Sequence, residues 1–69
     1  MAGNKTNPTE YVSDRIKFFV AARGRADPAV WQVGVGLLET YLNISITLGE
    51  VPTETGRNLR RQICELQAA

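Results

Sequence analysis

Apolar residues recur along the chain at steps of three and four residues, in three stretches that proline and glycine separate. This spacing is typical of amphipathic helices, whose apolar side chains line one face. In the first stretch the apolar face consists of Val12, Ile16, Phe19 and Val20, and it is widened by Tyr11, Phe18 and Ala22. In the third stretch it narrows to Leu59, Ile63 and Leu66. The pattern therefore predicts an all-α fold of three helices.

Capping residues, proline and glycine set the helix boundaries. Asn7-Pro8 and Asp27-Pro28 each place a capping side chain before a proline, which needs no backbone N–H in the first turn of a helix. Gly24 and Gly49 follow the first two stretches, where helices commonly end on a glycine with positive φ. The predicted helices cover residues 8–23, 28–48 and 53–67. We expect them to form one compact domain over residues 7–69, after a mobile N-terminal tail at residues 1–6.

The middle stretch carries two apolar stripes side by side, which is a wider apolar face than one neighbouring helix needs. The first, named here the Val30 stripe, comprises Val30, Val33, Leu37, Tyr41, Ile44 and Leu48. The second, the Trp31 stripe, comprises Trp31, Val35, Leu38, Leu42 and Ile46. One interpretation is that the middle helix packs against both other helices of its own chain. The other is that the Trp31 stripe also forms a homodimer or partner-binding surface, with its tryptophan as an interface anchor. Trp31 could alternatively cover the end of the core against the first helix.

Two glycines, Gly34 and Gly36, interrupt the middle stretch. Each costs about 1 kcal/mol inside a helix relative to alanine. Three explanations stay open from the sequence: a kink at residues 33–36, a helix that begins only after Gly36, or a close approach of another helix or a partner backbone at Gly36.

Composition excludes several kinds of chemistry. The 69 residues include one cysteine and no histidine, which rules out a His/Cys zinc site, a disulfide within the chain and a histidine-based triad. Glycine-rich phosphate loops and carboxylate clusters with metal-ligand spacing are also missing from the sequence. We therefore expect no enzyme activity, no catalytic residues, no cofactor, no metal ion and no small-molecule substrate.

The N-terminal residues are small and polar, with no apolar signal-peptide core behind them. The longest low-charge stretch, residues 28–49, is long enough to span a bilayer, but polar residues including Glu39 recur along it. These features predict a cytoplasmic protein without a membrane partner. Because cores below about 70–80 residues rarely supply more than about 3–5 kcal/mol without a disulfide or metal, we also predict a homodimer.

Charge is unevenly distributed although the chain carries only +1 in total. Residues 1–25 carry a net +3, residues 26–54 a net −4 and residues 55–69 a net +2. This arrangement suits pairing between chains or with a protein partner better than it suits tracking of nucleic-acid phosphates.

Three arginines, Arg57, Arg60 and Arg61, share one face of the third predicted helix. Two interpretations give this arginine face a function: it binds an acidic protein partner, or it contacts nucleic acid in a helix–turn–helix layout over residues 48–66. A third interpretation is a solvated surface without a partner. Cys64 lies on the same face, where the neighbouring guanidinium groups favour its thiolate, so redox sensing or an intermolecular disulfide is one interpretation. We expect the other, a partly covered cysteine without a chemical role.

These features favour a small interaction protein, a regulator, inhibitor or adaptor that acts by binding a protein partner. The alternative is a small helix–turn–helix-like DNA-binding regulator that uses the helix at residues 53–67. A structural subunit whose only partner is itself is the third possibility.

Overall fold

The computed structural model describes residues 7–68, and these residues form three helices and no strand. Helix α1 runs over Pro8–Ala22, α2 over Pro28–Thr47 and α3 over Thr53–Ala68. The all-α prediction is confirmed for the described residues, and each helix end lies within one residue of its predicted position. The predicted mobile tail at residues 1–6 lies outside the described residues.

The first two helices begin as their capping residues predict. The Asn7 carboxamide oxygen accepts a hydrogen bond from the backbone N–H of Glu10 at 2.8 Å. The Asp27 carboxylate accepts from the N–H groups of Ala29 at 2.8 Å and Val30 at 3.3 Å. Both side chains satisfy backbone donors of the first turn that have no partner inside the helix.

Helix α2 ends in a Schellman motif that turns the chain toward α3. Gly49 has a φ of +78°, a left-handed conformation that favours glycine. Its N–H donates to the carbonyl of Ile46 at 3.0 Å, and the N–H of Glu50 donates to the carbonyl of Ser45 at 2.9 Å. These bonds satisfy the last carbonyls of α2. Val51 follows at once and is buried in the core.

Each helix packs against both others around one hydrophobic core. The predicted apolar face of α3 is buried, whereas on α1 the prediction was too wide, because Tyr11, Phe18 and Val20 are exposed. The core consists of Val12, Ile16, Phe19, Trp31, Val35, Leu38, Leu42, Val51, Leu59, Ile63 and Leu66.

Helix α2 is continuous through both glycines, so Trp31 lies within a helix and not in a loop. Gly34 has a packing reason: a Cβ atom there would lie 2.9 Å from two ring atoms of Phe19, which shows how closely α1 approaches. At Gly36, a Cβ atom would meet nothing within 4 Å. The close approach considered for Gly36 therefore does not occur between the described parts of this chain.

Candidate protein interface

The Trp31 stripe, predicted as the partner-binding or dimer surface, forms the core side of α2. Trp31, Val35, Leu38 and Leu42 are buried among residues of α1 and α3, and Ile46 is half-buried against the same core. A partner cannot reach these side chains while the chain is folded. The assignment of this stripe to the surface is therefore wrong, because both other helices of the chain pack on the same side of α2.

The Val30 stripe is the exposed one. Each of its six side chains is exposed, with Leu37 at 65% and Leu48 at 66% of full accessibility. The stripe runs over five helical turns, a length of about 27 Å at 1.5 Å per residue. At these exposed fractions it offers on the order of 700 Å² of surface, whereas the largest apolar patch on a typical monomer covers roughly 300–600 Å².

No charged side chain lies on the exposed face of α2. Between Asp27 and Glu50 the only charged residue is Glu39, and its carboxylate accepts a hydrogen bond from the Gln67 side chain of α3 at 3.2 Å. Asn43, also half-buried, accepts from the Arg60 guanidinium of α3 at 2.6 Å. Helix α2 thus buries one apolar stripe in the core, turns Glu39 and Asn43 toward α3 and leaves a second apolar stripe exposed, where an ordinary surface helix would carry charged and polar side chains.

Small and neutral residues flank the Val30 stripe on its other side. The hydroxyl of Thr40 donates to the carbonyl of Gly36 at 3.2 Å, and the hydroxyl of Thr47 donates to the carbonyl of Asn43 at 3.0 Å. Both threonine hydrogens are therefore used within α2. If a second helix covered this flank, both threonine hydroxyl donors would keep their hydrogen bonds. At Gly36 that helix would meet no side chain.

A groove lies where the exposed face of α2 meets α1. Tyr11 of α1 and Tyr41 of α2 meet edge to face, with their ring centroids 5.0 Å apart. Beside them lies a groove of about 200 Å³ that also includes Leu37, Gly34 and Arg15. Gly34 lies at the floor of this groove, where the Phe19 ring packs directly against it. We call the Val30 stripe together with Tyr11 the apolar face.

The arginine face of α3 is exposed, as predicted, and lies opposite the buried Leu59, Ile63 and Leu66. Arg57 and Arg60 line a shallow hollow of about 190 Å³. The hydrogen bond from Arg60 to Asn43 holds one of the three guanidinium groups against α2. Cys64 is exposed on this face and not partly covered as expected.

Residues 48–52 connect α2 to α3. This connection is longer than the three- to four-residue turn of DNA-reading helix–turn–helix motifs. The geometry of the connection therefore gives the DNA-binding alternative no added support.

Within residues 7–68, no group of three or more Cys, Asp or Glu side chains is placed to hold a metal ion. None of the three helices combines the length and apolar character needed to cross a membrane. Comparison of the chain with protein-family models, curated proteins and solved structures found no match. The candidate interface therefore rests on the geometry of the apolar face.

The sequence pattern shows both stripes but does not indicate which of them is buried and which is exposed. Both have helical spacing and similar side chains, and Glu39 and Asn43 looked like the solvent side of the helix. One signal could have separated the stripes: the indole N–H of tryptophan needs an acceptor when it is buried. A tryptophan that follows a helix end in sequence can reach one of the unpaired carbonyls at that end.

Proposed function

We propose that this chain is a small non-enzymatic interaction protein of the cytoplasm, which acts as a regulator, inhibitor or adaptor by binding protein through its apolar face. The observation that carries the proposal is the absence of charge on the exposed side of α2, beside a continuous apolar stripe. Depletion of charged residues is the compositional mark of the buried centre of protein–protein interfaces.

The chemistry of the face favours protein over other surfaces. Helices that lie on anionic membranes carry Lys or Arg on their polar side. The exposed side of α2 has neither between Pro28 and Thr47. Nucleic acid needs cations for its phosphates; among residues 7–68, Arg15 lies at one edge of this face and Arg23 and Arg25 lie before its N-terminal end, and none of the side chains of the Val30 stripe is a cation. An apolar helix surface whose flanking threonine hydroxyls are already bonded within the helix is suited to an apolar helix or groove of another protein.

The arginine face supplies a second surface with a different chemistry. Its three exposed guanidinium groups are suited to carboxylates of an acidic protein segment. Because such exposed pairs contribute little affinity each, we assign the arginine face to orientation and selectivity and the apolar face to binding strength.

A matched pair of variants tests the proposal. Leu37→Lys puts a charge at the centre of the apolar face, whereas Val20→Lys puts the same charge on another exposed apolar residue, in the hollow between α1 and α3. Tagged wild-type and variant chains are used to recover proteins from the source cell, with and without nuclease, and every chain is identified by mass spectrometry. We expect wild type and Val20→Lys to recover a stoichiometric amount of another protein, or of untagged copies of this chain, in the presence of nuclease. Leu37→Lys should not recover it.

Two results would contradict the proposal. One is equal recovery by Leu37→Lys and wild type. The other is recovery that nuclease abolishes and that Arg57→Ala and Arg61→Ala weaken, with affinity falling steeply with salt at about −0.9 in log–log slope per phosphate contact. The second result would establish DNA binding through α3 instead.

A further inference from the structure

We infer that the protein covering the apolar face is a second copy of this chain, with the two α2 helices packed antiparallel about a twofold axis. This inference rests on the proposed function, because it assumes that a protein covers the apolar face. It adds that this protein is a second copy of the chain. Three observations carry it: the area of the face, its freedom from charge and the opposite charges at its two ends.

The area matches what a stable dimer needs. A standard protein interface buries about 800 Å² on each partner. The Val30 stripe and Tyr11 expose an area of that order on a chain whose whole accessible surface is 4803 Å². In a twofold dimer the same patch serves both partners, so one face of α2 provides the entire interface.

Freedom from charge makes the face complementary to itself. In a twofold dimer each side chain near the axis meets side chains from the same face of the other copy, so a charge there would meet a like charge. The face has no charge, and its tyrosine, leucine, isoleucine and valine side chains can pack against the same residue types of the other copy. Gly36 at the flank lets the second backbone approach closely.

The charges at the two ends select the antiparallel arrangement. Arg23 and Arg25 lie in the connection before α2 together with Asp27, whose carboxylate accepts from the first backbone N–H groups of the helix, so the N-terminal end of α2 keeps a net positive charge next to the positive end of its dipole. Glu50 lies in the connection after α2, next to the negative end of its dipole, and Glu54 lies in the first turn of α3. Antiparallel packing brings the arginines of one copy to the glutamates of the other, whereas parallel packing brings like charges together.

The antiparallel arrangement also pairs opposite ends of the stripe. Its midpoint lies between Leu37 and Tyr41, so Val30 of one copy lies near Leu48 of the other. A parallel arrangement would instead place each residue near its own counterpart. Single cysteine substitutions therefore distinguish the two arrangements.

The experiment uses the full chain with Cys64→Ser, so that only introduced thiols react. Val30→Cys and Leu48→Cys chains are oxidised mildly, each alone and then mixed, and covalent dimers are identified by mass. Sedimentation velocity of wild type, Leu37→Lys and Val20→Lys from about 1 to 100 µM measures the association itself. We expect a wild-type dimer, weakened at least about thirtyfold by Leu37→Lys and unchanged by Val20→Lys, because a charge is placed at the centre of the interface.

In the cross-linking arm we expect covalent dimers in the mixture, containing one chain of each variant, and few with either variant alone. Covalent dimers of each variant alone, without preference for the mixed species, would overturn the antiparallel arrangement. A wild-type chain that stays monomeric throughout would overturn the dimer. If that monomer still recovers another protein in a Leu37-dependent manner, the proposed function stands; if it does not, both fail.

Discussion

Leu37 and Leu38 are neighbours on α2 but lie in opposite environments: Leu37 is 65% exposed on the apolar face and Leu38 is 5% exposed in the core. A helix of 3.6 residues per turn separates consecutive side chains by about 100°. In α2 this 100° separation places Leu37 on the surface that a partner would cover and Leu38 on the surface that α1 and α3 already cover. The same substitution at the two positions therefore separates binding from folding.

We predict that Leu37→Glu remains folded with its free energy of unfolding within about 0.5 kcal/mol of the isolated wild-type chain, as is usual for exposed positions. Leu38→Glu buries an unpaired carboxylate and removes a core side chain, so it should unfold the chain or destabilise it by more than about 3 kcal/mol. Far-UV circular dichroism during urea unfolding measures both. A folded, stable Leu38→Glu chain would contradict the assignment of Leu38 to the core.

Trp31 joins α1 to α2 by a hydrogen bond as well as by packing. Its indole N–H donates to the carbonyl of Phe19 at 3.0 Å, and the two rings meet edge to face at 6.2 Å. Because the Arg23 N–H bonds the Val20 carbonyl, the Phe19 carbonyl depends on Trp31 for this donor. We predict a loss of about 1–2 kcal/mol for Trp31→Phe and about 3–5 kcal/mol for Trp31→Ala.

These losses are measured by urea unfolding in the Leu37→Lys background, where association does not add to stability. A Trp31→Phe chain as stable as its parent would show that the hydrogen bond does not stabilise the fold. In this account Trp31→Ala impairs partner recovery only because the chain unfolds.

The two glycines of α2 should respond in opposite directions. Gly36→Ala meets no neighbour and should stabilise the isolated chain by up to about 1 kcal/mol, because alanine is the better helix former. The added methyl group should nevertheless weaken association about tenfold, since a second backbone approaches there. Gly34→Ala would press on the Phe19 ring and should destabilise the chain.

Thermal unfolding of each glycine variant is compared with its sedimentation. Stabilisation by Gly36→Ala without any loss of association would show that no partner backbone lies close to this position. Stabilisation by Gly34→Ala would contradict the close contact between α1 and α2.

Much of the fold was predictable from the sequence because its signals are local. Asn7, Asp27 and Gly49 act within one turn of their own position, so the helix boundaries follow from short-range chemistry. The buried face of α3 was predictable because that helix has one narrow apolar stripe, whereas in α1 the sequence correctly predicted Val12, Ile16 and Phe19 but also included the exposed Val20. In α2 the choice between stripes depends on where two distant helices pack, which local spacing does not encode.

The end charges give a prediction specific to the antiparallel dimer. Arg25→Glu places a carboxylate opposite Glu50 of the other copy, and Glu50→Arg places a guanidinium opposite Arg25. Each change should weaken association about two- to fivefold at low salt. The double variant restores opposite charges and should recover most of the loss. Sedimentation at low and high salt measures this, and additive losses in the double variant would contradict the pairing.

The most direct test of the central claim, that protein covers the apolar face of α2, is hydroxyl-radical footprinting of the tagged chain recovered natively from its source cell. The Leu37→Lys chain, recovered in the same way, provides the uncovered reference. We predict several-fold lower oxidation of Tyr41, Ile44 and Leu48 in wild type, with equal oxidation of Val20 in both chains. Equal oxidation of Tyr41, Ile44 and Leu48 would show that the face is open to solvent in the native state and would contradict the account.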